Sequence, residues 1–416
     1  MKRARTLAIF GIVLAGAMNA GGSAAFAQGG IPYCTTLPNT VYMGGTTAVL
    51  PVIRHFGARL KQVGVTLLWN ENSEGCGSVD ALVNTPKNLV RPTFSHYDEN
   101  GSGAKSTVTI SNCIGAVDQV PDLVINDTYW VSCFRSYGAA TGGAQPLSVN
   151  LKEFVGPVQG IVPIVASSYL YYSDITVDEL LDLYLCGANA HILTFTDDRT
   201  IYNYDGTTSG IRELWARGLG ASNGQVTQVG PNLGLTAESM VGRVVSDTTI
   251  SPDTTIGYTS TEFYDESRDV VRAFKVRGVN QSKAYLPDTD AASTDKINIR
   301  EGRYTIQGAL KLVTQVDSMG VPTNPGAKKI IDWMQGNPSA DPLPFDVNEV
   351  YAQRGVVPQC AMRVTKDSDM PVFRRYTDPA PCHCSFEMLA TGKTSCTACS
   401  AAAPCAKGQC SHGYCE

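Results

Sequence analysis

The chain has 416 residues, of which 43% are hydrophobic and 17% charged, with 40 glycines, a composition that describes a globular protein with many turns and excludes a disordered one. Its formal charge is −5, and without the three basic residues of the first 27 it becomes −8, with 30 basic side chains against 38 acidic. That balance excludes a nucleic-acid surface, which needs a basic stripe to neutralise phosphates.

Lys2, Arg3 and Arg5 precede an apolar stretch from Leu7 to Met18, and Ala25-Phe26-Ala27 has the small-x-small pattern of a signal-peptidase site. Residues 1–27 read as a cleavable export signal, because the apolar stretch falls well short of the roughly 20 residues a membrane span requires. The remaining chain, about 390 residues, exceeds one small domain and predicts two core-bearing units. The expected destination is the periplasm or the exterior.

After the leader, Val41-Tyr42-Met43 is a short β-type run, Gly44-Gly45-Thr46-Thr47 a junction, and Val49, Val52, Ile53, Phe56 and Leu60 recur at helical spacing. Val65 to Trp69 predicts a buried strand, Asn70 to Ser78 a polar loop, and Val79 to Leu82 the start of a helix. Asp122 to Ile125 is again a short apolar strand, stopping at Asn126-Asp127. Strand, loop and helix in alternation predict an α/β layout with parallel strands. Near residue 156 the pattern resets. Val158 to Ala166 is β-rich, Thr176-x-x-Glu179 is a capping box before the helix Leu180 to Leu185, and Asp205 to Gly210 is a polar loop before the helical stretch Ile211 to Arg217. Thr255 to Tyr258 predicts a strand, residues 279–303 show no periodicity, Tyr304 to Val313 returns to order, and Ala327 to Met334 is an amphipathic helix stopped by Gly336.

Thirteen cysteines fall in two groups, six in the body and seven after Cys382 inclusive. In an oxidising compartment both groups predict disulfides, and the odd tail count requires either one bond to the body or one free thiol. A zinc site on Cys396-x-x-Cys399 with Cys382, Cys384, His383 and His412 is the weaker alternative, since the second pair lacks the spacing. A tail with so little apolar content cannot build a core, so disulfides must hold it.

Three loops share one description: a strand ends, glycine and hydroxyl residues follow, and a helix starts. They are GGTT at 44–47, SEGCGS at 73–78 and GTTSG at 206–210. Helix N-termini expose unpaired amides and partial positive charge, and a glycine lets an oxyanion approach them. Each loop alone is also an ordinary N-cap. Asp127 adds an acceptor that would favour a protonated oxyanion such as hydrogen phosphate over sulfate, the plainer alternative being an Asx-turn.

In this order, VYMGGTTAVLPVIRHF, DLVIND, GTTSG, VDELLDLY and IREGRYTIQGALKLVT resemble the phosphate-binding periplasmic receptors of ABC importers, over roughly residues 38–335. The resemblance implies a two-lobed α/β fold of the type II periplasmic-binding-protein class, with crossover strands and an inter-lobe ligand cleft, plus a small disulfide-rich C-terminal appendage. It implies lobe 1 at 31–155, lobe 2 at 156–300, a return to lobe 1 at 301–380 and the tail at 381–416. Carried over by position, the ligand-binding residues are Thr46, Thr47, Ser78, Asp127, Thr208, Ser209 and Gly210. The implied partners are phosphate or a similar oxyanion and an ABC permease in the inner membrane, for a monomer without cofactor, metal or catalysis.

Two departures from the family pattern matter. Tyr204 and Asp205 stand where an arginine is usual, and Ile211 stands where a threonine hydroxyl is usual. Arg199 and Arg54 are the candidates to supply the missing guanidinium. The second reading is an exported interaction protein that keeps the fold, has lost the ligand and attaches through its tail. A hydrolase is poorly supported, because no G-x-S-x-G elbow or spaced histidine set is present.

Overall fold

The computed structural model describes residues 30–70, 73–83, 92–100, 107–133, 150–192, 200–204, 208–222, 224–226, 235–248, 254–337 and 342–416. The leader expected at 1–27, Arg199, Asp205, Gly206 and Thr207 lie outside the described residues, as does part of the Pro-rich connection at 338–341. Among the described residues no helix is long and apolar enough to cross a membrane.

β1 (Thr40–Gly45) is followed by α1 (Leu50–Gln62), β2 (Thr66–Trp69) and α2 (Gly75–Val83). The helical spacing read in the sequence is the buried face of α1: Val52, Ile53, Phe56 and Leu60 are all within 1% of full burial. α2 begins earlier than its apolar run suggests, so Cys76 and Ser78 are helical rather than part of the loop. β3 (Thr93–Asn100) and β4 (Thr107–Ile114) form an antiparallel edge pair, and β5 (Leu123–Asn126) lies parallel to β1 on its other side. The expected strand, loop and helix alternation is therefore present, with β1, β2 and β5 parallel.

β6 (Leu151–Ala166) is the longest strand and belongs to both halves of the molecule. Its first part, through Gly160, pairs antiparallel with β12 (Gln307–Gln315), and Ile161–Ile164 pair with β9 (Thr255–Ser260). The lobe boundary expected at 155/156 thus falls inside one strand, which explains why its apolar run is so long: it is buried on both faces. The result is one mixed sheet, ordered β4-β3-β2-β1-β5-β12-β6-β9-β8, in which β8 is Thr200–Ile201. The second half also carries the short strands β7 (Asp174–Thr176), β10 (Val271–Ala273) and β11 (Lys275–Arg277) and the helices α3 (Val177–Cys186), α4 (Gly210–Gly218), α5 (Ala237–Thr248) and α6 (Thr261–Glu266). The capping box at Thr176 is formed as read, with Glu179 N donating to the Thr176 hydroxyl and Thr176 N to the Glu179 carboxylate.

The stretch 279–303, which has no periodicity, is held by charge rather than by a ladder. Lys296, fully buried, donates to Asp265 (2.7 Å) and Asp288 (2.9 Å), and Arg268 pairs with the same two carboxylates at 2.6 Å. A single helical turn, α7 (Ile297–Arg300), closes it. α8 (Pro325–Met334) and α9 (Val347–Gln353) then pack on the first half, and β13 (Val364–Thr365) with β14 (Arg374–Arg375) leads to α10 (His383–Thr391).

The structure pairs twelve of the thirteen cysteines. Cys34–Cys113 and Cys76–Cys133 lie in the body, Cys384–Cys396, Cys399–Cys410 and Cys405–Cys415 staple the tail, and Cys360–Cys382 joins the two. The odd tail cysteine therefore bonds to the body, and the one free thiol is Cys186, exposed at the end of α3. The zinc alternative is overturned, because all four of its cysteines are consumed in disulfides.

Candidate functional site

Parallel strands β1 and β5 end side by side, and the residues just beyond them form the floor of the site. Gly45 has φ +139°, and a Cβ there would stand 1.9 Å from the Ile125 carbonyl oxygen, so only glycine lets β1 turn away this close to β5. Thr46 N then donates to Ile125 O at 2.9 Å. The Thr46 hydroxyl, buried, accepts from Ala48 N at 3.1 Å and favours the charged form of Asp127. Thr47 does something else: its hydroxyl accepts from Ala237 N at 3.5 Å, at the start of α5 in the other half of the molecule.

Asp127 is the centre. It is fully buried, its Oδ1 accepts from Gln159 Nε2 at 2.5 Å, and its Oδ2 has no hydrogen-bond partner. Burial pushes its pKa from 3.8 up to about 6, against the pull of the Thr46 and Gln159 hydrogen bonds, and the Asp369 charge adds to the rise. Asn126 beside it donates to Thr128 O at 2.8 Å and leaves its Oδ1 without a partner. Asp369 anchors the loop after β5 by accepting from Tyr129 N (3.0 Å) and the Ser132 hydroxyl (2.6 Å).

The N-terminus of α4 closes over this floor. Ser209 is its N-cap, accepting from Arg212 N at 3.4 Å, and Gly210 is so close that a Cβ would lie 2.5 Å from Asp127 Oδ2 and 2.7 Å from Asn126 Oδ1. Gly75, at the start of α2, meets only the second of these groups: by the same measure its Cβ would lie 2.3 Å from Asn126 Oδ1, and 3.4 Å from Gly210 Cα. Cys76 N donates to Thr208 O at 3.1 Å, and the Thr208 hydroxyl bonds the Glu74 carboxylate. The starts of α2 and α4 therefore meet each other over Asn126, and the start of α4 also covers the buried Asp127 carboxyl.

Of the residues named from the sequence, Thr46, Asp127, Ser209 and Gly210 come together here, with Thr208 at the rim. Ser78 does not join them through a hydrogen bond. It lies inside α2 and lines a separate cavity of about 250 Å³ with Gly44, Ser73, Asn70 and Asp118. The serine that ties the second loop to the first is Ser73, whose hydroxyl accepts from Gly45 N at 2.8 Å and donates to Asn70 O at 2.6 Å.

The departures around the GTTSG loop have physical content. Tyr204 is buried in an aromatic stack, its ring 5.1 Å from that of Tyr258, and its hydroxyl donates to Tyr258 O at 3.1 Å. Ile211 is buried as well. Arg212 spends its guanidinium on the carbonyls of Tyr204 (3.1 Å) and Val226 (2.8 Å). Arg54 is no substitute for the missing guanidinium, since it pairs with Glu238 of α5 at 3.0 Å. Among the described residues, Asp127 forms no ion pair.

Sequence reasoning missed two residues at the site and a third, a buried acid on which the Asp127 charge acts. Asn126 and Gln159 carry no spacing signal. Glu262 follows β9 at a helix start and so repeats the description of the other loops, but the strand there was read without the helix after it. It is fully buried, with Oε2 accepting from the Thr261 hydroxyl at 3.2 Å and Oε1 without a partner.

No protein-family model and no curated protein sequence matches this chain. Solved structures do. A phosphate-bound substrate-binding protein from Clostridium perfringens is 15% identical over 77% of this chain and 99% of its own, with a TM-score of 0.46. PfluDING, a high-affinity periplasmic phosphate-binding protein, is 13% identical over 77% and 90%, with a TM-score of 0.45. An ABC-type phosphate transport receptor from Vibrio cholerae is 13% identical over 77% and 99%, with a TM-score of 0.41. Similarity at this level concerns the α/β chain trace of phosphate-binding receptors and leaves the chemistry of the cleft to the residues of this chain.

Proposed function

We propose that this protein is an exported, non-catalytic solute receptor whose two halves close on a protonated oxyanion, phosphate first, for delivery to an ABC-type permease in the inner membrane. The observation that carries the reading is Asp127: fully buried, held on one oxygen, unpartnered on the other, at the meeting point of the α2 and α4 N-termini and the Thr46 turn. Backbone amides and hydroxyls at such helix starts donate to an anion's oxygens, and an acceptor among them selects an anion that still carries a proton. Six disulfides support an oxidising compartment, as the leader at 1–27 does. The proposed ligand set is Thr46, Asp127, Ser209 and Gly210, with Thr47 and Thr208 acting on closure and Ser78 in a supporting position.

One observation favours the second reading, a ligand-free interaction protein. The halves already bond to each other directly, through Cys76 and Thr208, Glu74 and Thr208, and Arg54 and Glu238. Thermal unfolding with added anion separates the two. Phosphate at about 100 times its dissociation constant stabilises a receptor by about 2.7 kcal/mol. A melting temperature unmoved by phosphate, arsenate and sulfate refutes the receptor reading.

A further inference from the structure

Glu262 is a fully buried carboxyl that no cation among the described residues pairs with. It sits in the first turn of α6. The charged groups on the elements around α6 are committed elsewhere. Arg54 pairs with Glu238, Arg354 with Glu266 (3.4 Å) and the His55 ring (3.2 Å), and Asp265 with Lys296 and Arg268. Arg272 of β10 reaches the Tyr172 carbonyl. The charge that does act on Glu262 is that of Asp127.

Two hydrogen bonds tie Glu262's neighbours to the residues that hold Asp127. The Thr261 hydroxyl accepts from Gly160 N at 3.1 Å, next to Gln159, whose amide holds Asp127 Oδ1. The Ser260 hydroxyl donates to Ala48 O at 3.0 Å, and Ala48 N donates to the hydroxyl of Thr46, which favours the charged form of the same carboxyl. The two acids are thus members of one network, one from each half of the molecule, and each keeps one oxygen unpartnered.

A buried carboxylate without a counter-ion costs several kcal/mol, and the group escapes that cost by holding its proton. Burial, with the Asp127 charge adding to it, does raise the Glu262 pKa well above the usual carboxylate range. A carboxyl kept neutral is an O–H donor, not only an acceptor. This chain needs such a donor, because Ile211 has no hydroxyl and Arg212 turns to backbone carbonyls.

We propose that Glu262 is a direct ligand-binding residue of the inter-lobe site, donating a carboxyl O–H to one oxygen of a tetrahedral oxyanion while Asp127 accepts an O–H from another. The ligand class that satisfies both acids is a tetrahedral oxyanion that carries at least one proton, of which hydrogen phosphate is the simplest. This proposal rests on the receptor reading above.

The test uses the mature, oxidised protein, inorganic phosphate as the probe, and the variants Glu262→Gln, which keeps a donor, and Glu262→Met, which has none. Titration calorimetry is expected to show phosphate bound by the native protein, a loss of roughly 10- to 100-fold in Glu262→Met, and a change below about fivefold in Glu262→Gln. Unliganded Glu262→Met is expected to melt higher than the native protein, since it removes a buried carboxyl that lacks a partner on one oxygen. A purely structural role predicts the opposite order. Infrared difference spectra on phosphate addition are expected to show the C=O band of a neutral carboxyl shifting in the native protein and missing in Glu262→Gln. Binding by Glu262→Met within threefold of native, or a difference spectrum that Glu262→Gln leaves unchanged, overturns the role of Glu262 while the receptor reading stands. No phosphate binding by the native protein overturns both.

Discussion

Asp127→Asn should make the unliganded protein more stable and the receptor less selective. Asp127 holds its proton up to about pH 6 in the folded chain, against 3.8 for an ordinary aspartate. A raised carboxyl pKa means that the folded state binds the proton more tightly than the unfolded one. Its stability is therefore unaffected below 3.8, falls as pH rises from there to about 6, and carries the full cost above that. Two units at about 1.4 kcal/mol each give about 3 kcal/mol. Asparagine keeps an oxygen for Gln159 Nε2 and places its amide nitrogen where Oδ2 has no partner. Urea unfolding of the two proteins without anion, at pH 4 and at pH 7.5, measures the effect. The variant is expected to be more stable by up to about 3 kcal/mol at pH 7.5, with the gap closing toward pH 4. A less stable variant at pH 7.5, or a gap that ignores pH, refutes the buried-charge account. In binding assays the same variant should lose its preference for phosphate over sulfate, and unchanged selectivity would remove Asp127 as the proton acceptor.

Gly210→Ala should abolish anion binding and destabilise the closed form by about 1–3 kcal/mol, because its methyl would overlap Asp127 Oδ2 and Asn126 Oδ1; wild-type affinity in calorimetry would contradict that packing. Thr208→Val removes the hydroxyl bound to Glu74, and small-angle scattering of the unliganded protein should then show a larger radius of gyration if that contact holds the halves together. Thiol titration of the denatured, unreduced mature protein should find one reactive group per chain, and none in Cys186→Ser. The double variant Cys360→Ser/Cys382→Ser opens a loop with a sequence separation of 22, worth about 3 kcal/mol, and should release the tail to limited proteolysis while phosphate binding persists.

The parts of the fold visible in the sequence are those with one exposed and one buried face. α1 has that character, and its stripe from Val52 to Leu60 predicted both helix and core side. Short parallel strands such as Leu123–Asn126 were legible as apolar runs with a polar stop. β6 was seen only as its doubly buried second part, because Lys152, Glu153 and Phe154 at its start are not buried and break the run. At the site, glycine and hydroxyl residues flagged the helix starts, but not which hydroxyl faces the ligand. Ser73 and Ser78 bracket the start of α2 within one loop motif, and only the helix register puts Ser73 on Gly45 and Ser78 over the neighbouring cavity. Gln159, which reaches Asp127 from β6, has no local signature, and Glu262, in the first turn of α6, shows only the strand-then-helix pattern of the other loops.

The choice between a receptor and a sealed interaction protein turns on the oxygens that closure leaves unmatched. Asn126 Oδ1, Asp127 Oδ2, Gln159 Oε1 and Glu262 Oε1 are all buried without a donor. At about 1–3 kcal/mol for each unsatisfied buried group, the four together cost about 4–12 kcal/mol, as much as the whole net stability of an ordinary domain. The direct contacts between the halves offset little of that: the Arg54–Glu238 pair is largely solvent-exposed on the glutamate side, and pairs of that kind contribute about 0–1 kcal/mol. A protein closed for structural reasons alone would gain by replacing these side chains with apolar ones, as buried polar clusters tolerate when nothing binds them. Keeping Asp127 and the two amides there fits a ligand that brings a hydrogen-bond donor, and a neutral Glu262 fits a ligand oxygen that accepts one. A bare anion such as sulfate brings none, and a protonated one does.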